Sequence, residues 1–262
     1  FTGNKFEFRA VGSSQSIAGP NVVLNTIVAD SIALIADKLE AAVKAGKDLN
    51  TEIQAILPNL IKESKKVVFN GDGYTAAWQD EAAKRGLPNK KSTTDSLPDL
   101  ISAKSIALFG KHGVFSEREL HSRYEILLEG YTKTIAIETL LTIQIAGRQI
   151  LPAAMRYQAQ VAQSVTNLKI AFDNHMSPAV EAQNKLLTEL AQTIADLYVA
   201  IEKLEAANEH HAEGDSLAHA KYAYNTLIPA MTEVRTSADK LEGMVAADLW
   251  PLPTYQEMLF IK

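Results

Sequence analysis

Leu187-Thr-Glu-Leu190-Ala-Gln-Thr-Ile194-Ala-Asp-Leu197-Tyr-Val-Ala-Ile201-Glu-Lys-Leu204 sets a large aliphatic side chain at every third or fourth residue. That spacing puts all six on one face of an α-helix and leaves the charged residues on the other. A stripe this narrow and this long must be buried against other helices. The chain on its C-terminal side repeats the pattern in Leu217, Ala220, Tyr224, Leu227, Met231, Val234, Ala238, Leu241 and Val245, with Pro229 expected to bend the helix. On the N-terminal side, a third long helix is predicted from Leu120, Tyr124, Leu127 and Tyr131, then Leu151, Ala154, Val161, Val165, Leu168 and Phe172. Pro152 is expected to kink it.

The borders of these helices are marked. Ser116-Glu117-Arg118-Glu119 is a capping box, a hydroxyl and a carboxylate three residues apart. Ser177-Pro178 supplies a cap and a proline at the first helical position, and residues 208–214 are polar. Three long helices with short breaks are antiparallel neighbours, so the second half reads as a bundle or an antiparallel coiled coil. The tail Trp250-Pro251-Leu252-Pro253-Thr254-Tyr255 cannot continue a helix and is expected to pack back on the protein. No internal repeat of fixed period is visible.

Upstream, a helix is predicted over residues 21–44, with Pro20 in its first turn and Gly46 at its stop, and a second over 49–65, interrupted by Pro58. Residues 67–69 read as a short extended piece. Asn70-Gly71-Asp72-Gly73 reads as a turn, Asp72 capping a helix over 74–85 that Gly86 closes. Residues 87–99 read as mostly loop, 100–109 as a short helix, and Gly110 and Gly113 as brackets of a turn. Lys5-Phe6-Glu7-Phe8-Arg9 alternates strictly, which is a strand signal, with the phenylalanines on one face and the charges on the other. A lone strand needs a hydrogen-bonded partner. That orphan, and Phe1 in place of Met, are read as the mark of a fragment.

The fold expected is therefore mainly α: a long-helix antiparallel bundle with one N-terminal β-strand left over. The chain has 262 residues, 47% of them apolar, enough for a sizeable core. Its 26 Lys and Arg against 31 Asp and Glu give a net charge of −5, without the basic excess of a phosphate-held nucleic-acid binder or a polybasic membrane anchor. The absence of cysteine excludes disulfides, thiolate zinc and a cysteine nucleophile. No apolar run is long enough to cross a membrane, and no signal peptide is visible.

Few residues carry chemistry by pattern. Lys5, Glu7 and Arg9 share one strand face: a carboxylate between two cations suits a metal–phosphate site, and equally a solvated face with cross-strand ion pairs. Asn70-Gly71-Asp72-Gly73 lacks the spacing and the lysine of a phosphate loop and reads as a turn with a cap. Glu209, His210, His211 and Glu213 read as an exposed helix end, because adjacent histidines point about 100° apart. His121 reads as packed or solvated. Glu181, Glu189 and Glu202 lack the Glu-x-x-His partners of a di-metal bundle.

Asn4-Lys5-Phe6-Glu7-Phe8-Arg9-Ala10-Val11-Gly12-Ser13-Ser14-Gln15-Ser16, followed by Pro20-Asn21, resembles the end of the catalytic domain of type III glutamine synthetase. Val68-Phe69-Asn70-Gly71-Asp72-Gly73-Tyr74 with Trp78, Glu81-Ala82-Ala83-Lys84-Arg85-Gly86-Leu87, Glu119-Leu120-His121-Ser122-Arg123-Tyr124-Glu125-Ile126 and the Trp250–Tyr255 tail are similar to the segments that follow in that family. The resemblance implies an ATP-dependent ligase that joins ammonia to glutamate through γ-glutamyl phosphate, with Mg²⁺ or Mn²⁺, in the cytoplasm, as a homo-oligomer of stacked rings. It implies that Glu7 binds the metal on the ATP phosphates. It gives Arg9 the transferring phosphoryl group, as catalytic and ATP-binding residue, and Lys5 an ATP-phosphate role. Lys stands there where many relatives have Arg, supplying charge without a bidentate fork.

In this reading residues 1–46 are the last barrel strand and following helix of the catalytic domain. Residues 47–115 are a connecting region, and 116–262 are the C-terminal bundle and tail. The other metal carboxylates and the substrate-binding residues lie on chain not present here, so this chain alone is expected to be inactive. The competing reading is a non-catalytic helical oligomerisation or interaction module.

Overall fold

The computed structural model describes residues 15–173, 177–210, 213–253 and 255–259. Among them the chain is mainly helical and contains no strand. The predicted strand over residues 5–9 lies outside the described residues.

Two compact units are present. The first takes the chain up to Lys91 together with Asp95–Tyr124. It contains α1 (Ala18–Lys44), α2 (Leu49–Ser64) and α3 (Ala76–Lys84). Beyond the single turn α4 (Thr93–Ser96) it also holds a 3₁₀ segment (Leu97–Ile101), α5 (Ala103–Lys111) and the start of α6 (Glu117–Ile145). Gly46 stops α1 at φ +80°, and Gly86 follows α3 at φ +69°, left-handed positions where glycine carries no Cβ penalty. Asp48 caps α2 by accepting from the Thr51 amide at 2.9 Å.

Pro58 does not interrupt α2 as the sequence suggests. It lies on an exposed stretch, and Gln54, whose carbonyl loses its partner, is exposed to water. Val67 is the last residue of a 3₁₀ turn, so the extended piece begins at Val68. The predicted 100–109 helix divides into a 3₁₀ turn and α5, because Ser102 takes an extended backbone and caps α5 through its hydroxyl.

Little of α1 is buried: Thr26 and Ala42 are, whereas Val28, Ile32 and Leu34 are more than half exposed, as is Ile17 just before it. In α2 no residue is buried.

The second unit takes Ser92–Thr94 and everything from Glu125 onward. The rest of α6 leads into α7 (Leu151–Ala171), then α8 (Pro178–Glu209), α9 (Ser216–Tyr222), α10 (Ile228–Glu242) and α11 (Tyr255–Leu259). Helix α8 packs along α7 on one side and α10 on the other. Cross-links from Ala207 to Tyr222 and from Lys203 to Glu233 run in opposite senses along the two chains, so α8 and the α9–α10 arm are antiparallel. Ser177 and Pro178 begin α8 as predicted, the Ser177 hydroxyl accepting from the Val180 amide at 3.3 Å.

The core is the predicted one on α8. Leu190, Leu197 and Leu204 are fully buried, and Leu187 and Ile194 pack against them. Val161, Val165, Val234, Ala238 and Leu241 close the same cluster, and Leu249, Trp250 and Leu252 of the tail fold back onto it.

Three predicted core positions are corrected. Leu127, Phe172 and Tyr224 are each more than a third exposed. The inward stripe of α6 advances by fours, Leu120, Tyr124, Leu128, so Leu128 is fully buried in place of Leu127. Phe172 is past the end of α7, and Tyr224 yields its place to Ala223.

The two prolines, expected to kink or bend their helices, both lie in continuous helix. Each follows a five-residue π-helical turn, Ala146–Ile150 before Pro152 and Ala223–Leu227 before Pro229. Both turns open with a buried alanine, close with a buried Ile or Leu, and are followed by one aliphatic residue, Pro and Ala. Proline removes an amide and presses on the carbonyl four residues earlier, and a wider turn frees that carbonyl. The helix adds a residue to the turn before each proline.

Candidate functional site

Lys5, Glu7 and Arg9, the residues whose pattern pointed to metal and phosphate, lie outside the described residues. Among the described residues no group of three or more His, Asp or Glu is placed to hold a metal ion. No described helix is long and apolar enough to cross a membrane.

What the first unit assembles is a knot of the quoted motif residues. Phe69 stacks on Trp78 with ring centroids 4.4 Å apart. The Arg85 guanidinium lies 5.6 Å from the Trp78 ring and donates through Nε to Glu81 at 2.7 Å. Its Nη1 donates to the carbonyls of Lys66 and Val68, at 3.2 and 2.8 Å. One planar group thus ties α3 to the chain before the Asn70–Gly73 turn, which a lysine cannot do. Gly71 is needed because a Cβ there would lie 2.8 Å from the Phe69 ring.

Asp72 does not cap α3. Its carboxylate accepts from the Tyr74 amide at 2.9 Å and closes the turn itself, while Thr75 stands at the head of the helix.

A second cluster joins α1 to the end of α5. Asp30 Oδ1 lies 2.7 Å from Lys111 Nζ and 2.9 Å from His112 Nε2. The hydrogen bond from Lys111, then that from His112, hold the Asp30 carboxyl below the ordinary carboxylate range. The capping box is present as read. Ser116 donates its amide and its hydroxyl to Glu119, both at 2.8 Å, and the Glu119 amide returns a bond to the hydroxyl at 3.3 Å. The Ser116 amide is the chief cause of the lowered Glu119 pKa.

The other sequence candidates stay apart. His210 rests against the Tyr222 ring at 5.3 Å, and His211 lies outside the described residues. The Arg85 clamp was visible only as a Glu–Arg pair four apart. Its two carbonyl acceptors carry no sequence signal.

These clusters hold the chain together and do not resemble a reaction centre. Relationship to known proteins therefore carries the functional assignment. Residues 52–169 match the family model described as glutamine synthetase C-terminal domain. Over all of its length the chain is 38% identical to a type-3 glutamine synthetase of Dictyostelium discoideum. It is 34% identical to a glutamine synthetase of Butyrivibrio fibrisolvens over 99% of its length, and 30% identical to one of Bacteroides fragilis over all of it. The chain spans 36% of the length of each of these relatives. The knot around Arg85 and the capping box both fall within the matched domain. Over residues 52–169 the chain thereby carries the glutamine synthetase C-terminal domain, and along its whole length it is similar to part of proteins named glutamine synthetase.

Proposed function

We propose that this chain is the C-terminal part of a glutamine synthetase that ligates ammonia to glutamate with ATP, through γ-glutamyl phosphate, in the cytoplasm. The observation that carries this reading is similarity running from end to end of the chain to three proteins named glutamine synthetase. In this reading the segment 1–46 contributes the last strand of a catalytic barrel and the helix that follows it. Residues 47–115 connect, and 116–262 form the bundle and tail.

Glu7 supplies a carboxylate to the Mg²⁺ or Mn²⁺ on the ATP phosphates, and Arg9 and Lys5 face the phosphates with positive charge. A bound metal would polarise the phosphoryl group and offset its charge. One carboxylate is a partial ligand set for a hard cation, which takes about six oxygens. The described residues add no metal cluster. The chain by itself is therefore inactive in this proposal, and its strand completes a site built by the rest of the enzyme.

The exposed apolar side chains of α1 support the same reading, since an unpartnered apolar helix is usually a face awaiting cover. The test is turnover of the full-length protein with Glu7→Ala. Loss of metal-dependent glutamine formation by at least about a hundredfold, with assembly unchanged, is expected. Unchanged turnover, or metal-dependent turnover by this chain alone, would overturn the proposal.

A second role accompanies it. Ile126, Ile137, Leu140 and Leu141 stand exposed along α6, and Tyr198 and Val199 along α8. These favour the bundle as a contact between subunits of a homo-oligomer. Paired charge substitutions at Ile137 and Leu141 that leave the native mass unchanged would count against it.

A further inference from the structure

Asn70-Gly71 is the one Asn-Gly pair in the sequence. It stands exposed between the 3₁₀ segment that ends at Val67 and the start of α3. The chain is held on either side of it. Arg85 grips the Val68 carbonyl at 2.8 Å, and the Asp72 carboxylate accepts from the Tyr74 amide at 2.9 Å. The pair itself is not held. Among the described residues neither the Asn70 side chain nor the Gly71 amide has a hydrogen-bond partner.

These are the conditions in which an asparagine reacts with its own backbone. Gly71 has no Cβ, so nothing on that residue crowds the approach of its nitrogen to Asn70 Cγ. The other described asparagines differ. They stand in helices, where the next amide is committed to the helical ladder or its cap, or, at Asn89, before a lysine whose side chain crowds the nitrogen. Asp72-Gly73 offers the same glycine, but its carboxylate is occupied by the Tyr74 amide.

We propose that Asn70 is a site of spontaneous deamidation whose product loosens the knot around Trp78. The Gly71 nitrogen bonds to Asn70 Cγ and gives up its proton. The bond from Cγ to the side-chain nitrogen breaks, and that nitrogen leaves with the proton as ammonia. The product is a five-membered succinimide. Water then adds to one of its two carbonyl carbons, and the bond from that carbon to the Gly71 nitrogen breaks as the nitrogen regains a proton. Opening at Cγ gives aspartate. Opening at the main-chain carbonyl gives isoaspartate, in which the backbone runs through the former side chain. Either product adds a negative charge, and isoaspartate lengthens the main chain by a methylene. Gly71 already lies against Phe69, since a Cβ on it would fall 2.8 Å from the ring. Extra chain at that point displaces the ring from Trp78, on which it stacks at 4.4 Å.

Incubation of the intact protein in warm, mildly alkaline buffer, followed by peptide mass spectrometry, tests this. Trypsin releases residues 67–84, in which Asn70 is the only asparagine. Relative to a sample digested at the start, that peptide is expected to gain the mass that separates OH from NH₂. It should split into aspartyl and isoaspartyl forms, the second a substrate for an isoaspartyl carboxyl methyltransferase. The rate should rise with pH, because the attacking nitrogen must lose its proton. Asn70→Gln, which would have to close a six-membered ring, should abolish the gain. Tryptophan emission of the converted protein should move to the red. A free peptide of the same sequence, incubated alongside, sets the time scale. The proposal is overturned if Asn70 keeps its amide in the protein while the free peptide converts, if the gain persists in Asn70→Gln, or if full conversion leaves the emission unmoved.

Discussion

Asp30 and His112 meet across 82 positions of sequence, with Oδ1 and Nε2 2.9 Å apart, and Lys111 bonds the same oxygen. The contact fastens the middle of α1, a helix with little other burial, to the end of α5. Because the Asp30 carboxyl is held low, its contribution to stability is fully present above the ordinary value of 3.8 and is lost as pH falls through the lowered one. Asp30→Asn is expected to melt below the parent protein at about pH 6 and level with it by about pH 2. Melting curves across that range check it, and a gap that widens in acid would contradict it.

The register of α6 gives a sharper test. Leu128 is fully buried and its neighbour Leu127 is 43% exposed. Leu128→Ala is expected to cost about 3 kcal/mol in urea unfolding, and Leu127→Ala under about 1 kcal/mol. Equal losses would mean that the inward stripe is misplaced.

The π turns carry one surplus residue each. Deleting the exposed Gln149 together with Pro152→Ala should turn Ala146–Ile150 into ordinary α-helix and leave Val161 and Val165 facing the core. Deleting the equally exposed Gln160 instead rotates everything after it by about 100°. Circular dichroism should show a cooperative melt for the first variant and a collapsed one for the second.

Arg85→Lys keeps the charge and loses the fork that reaches Glu81, Lys66 and Val68 together. The Phe69–Trp78 stack should loosen. The expected reading is a red-shifted Trp78 emission and faster proteolysis near Gly71, with the second unit's melting unchanged.

How much of this was legible beforehand follows from what each residue depends on. The α8 stripe was readable because a helix buried on two sides must keep a strict period, and Ser177-Pro178 and the capping box act within three residues of themselves. Leu127 and Tyr224 were misplaced for separate reasons. At Leu127 the inward stripe of α6 steps by four, from Tyr124 to Leu128, where a step of three was expected. Tyr224 lies inside the wider Ala223–Leu227 turn, which a uniform period of 3.6 does not foresee. Asp72 was placed one element too far along because a cap and a closed turn share the same residue type. The Arg85 clamp depends on two backbone carbonyls, and backbone atoms have no letter in a sequence. The strand expected over residues 5–9 is a pattern in the sequence that lies outside the described residues, and its chemistry rests on resemblance.

The bareness of α1 reaches into the handling of the protein. Ile17, Val28, Ile32 and Leu34 present oily surface to water. Excluded salts such as sulfate raise the cost of that surface. The chain should therefore come out of solution at unusually low ammonium sulfate, and substitution of Ile32 by a polar residue should move the cut upward.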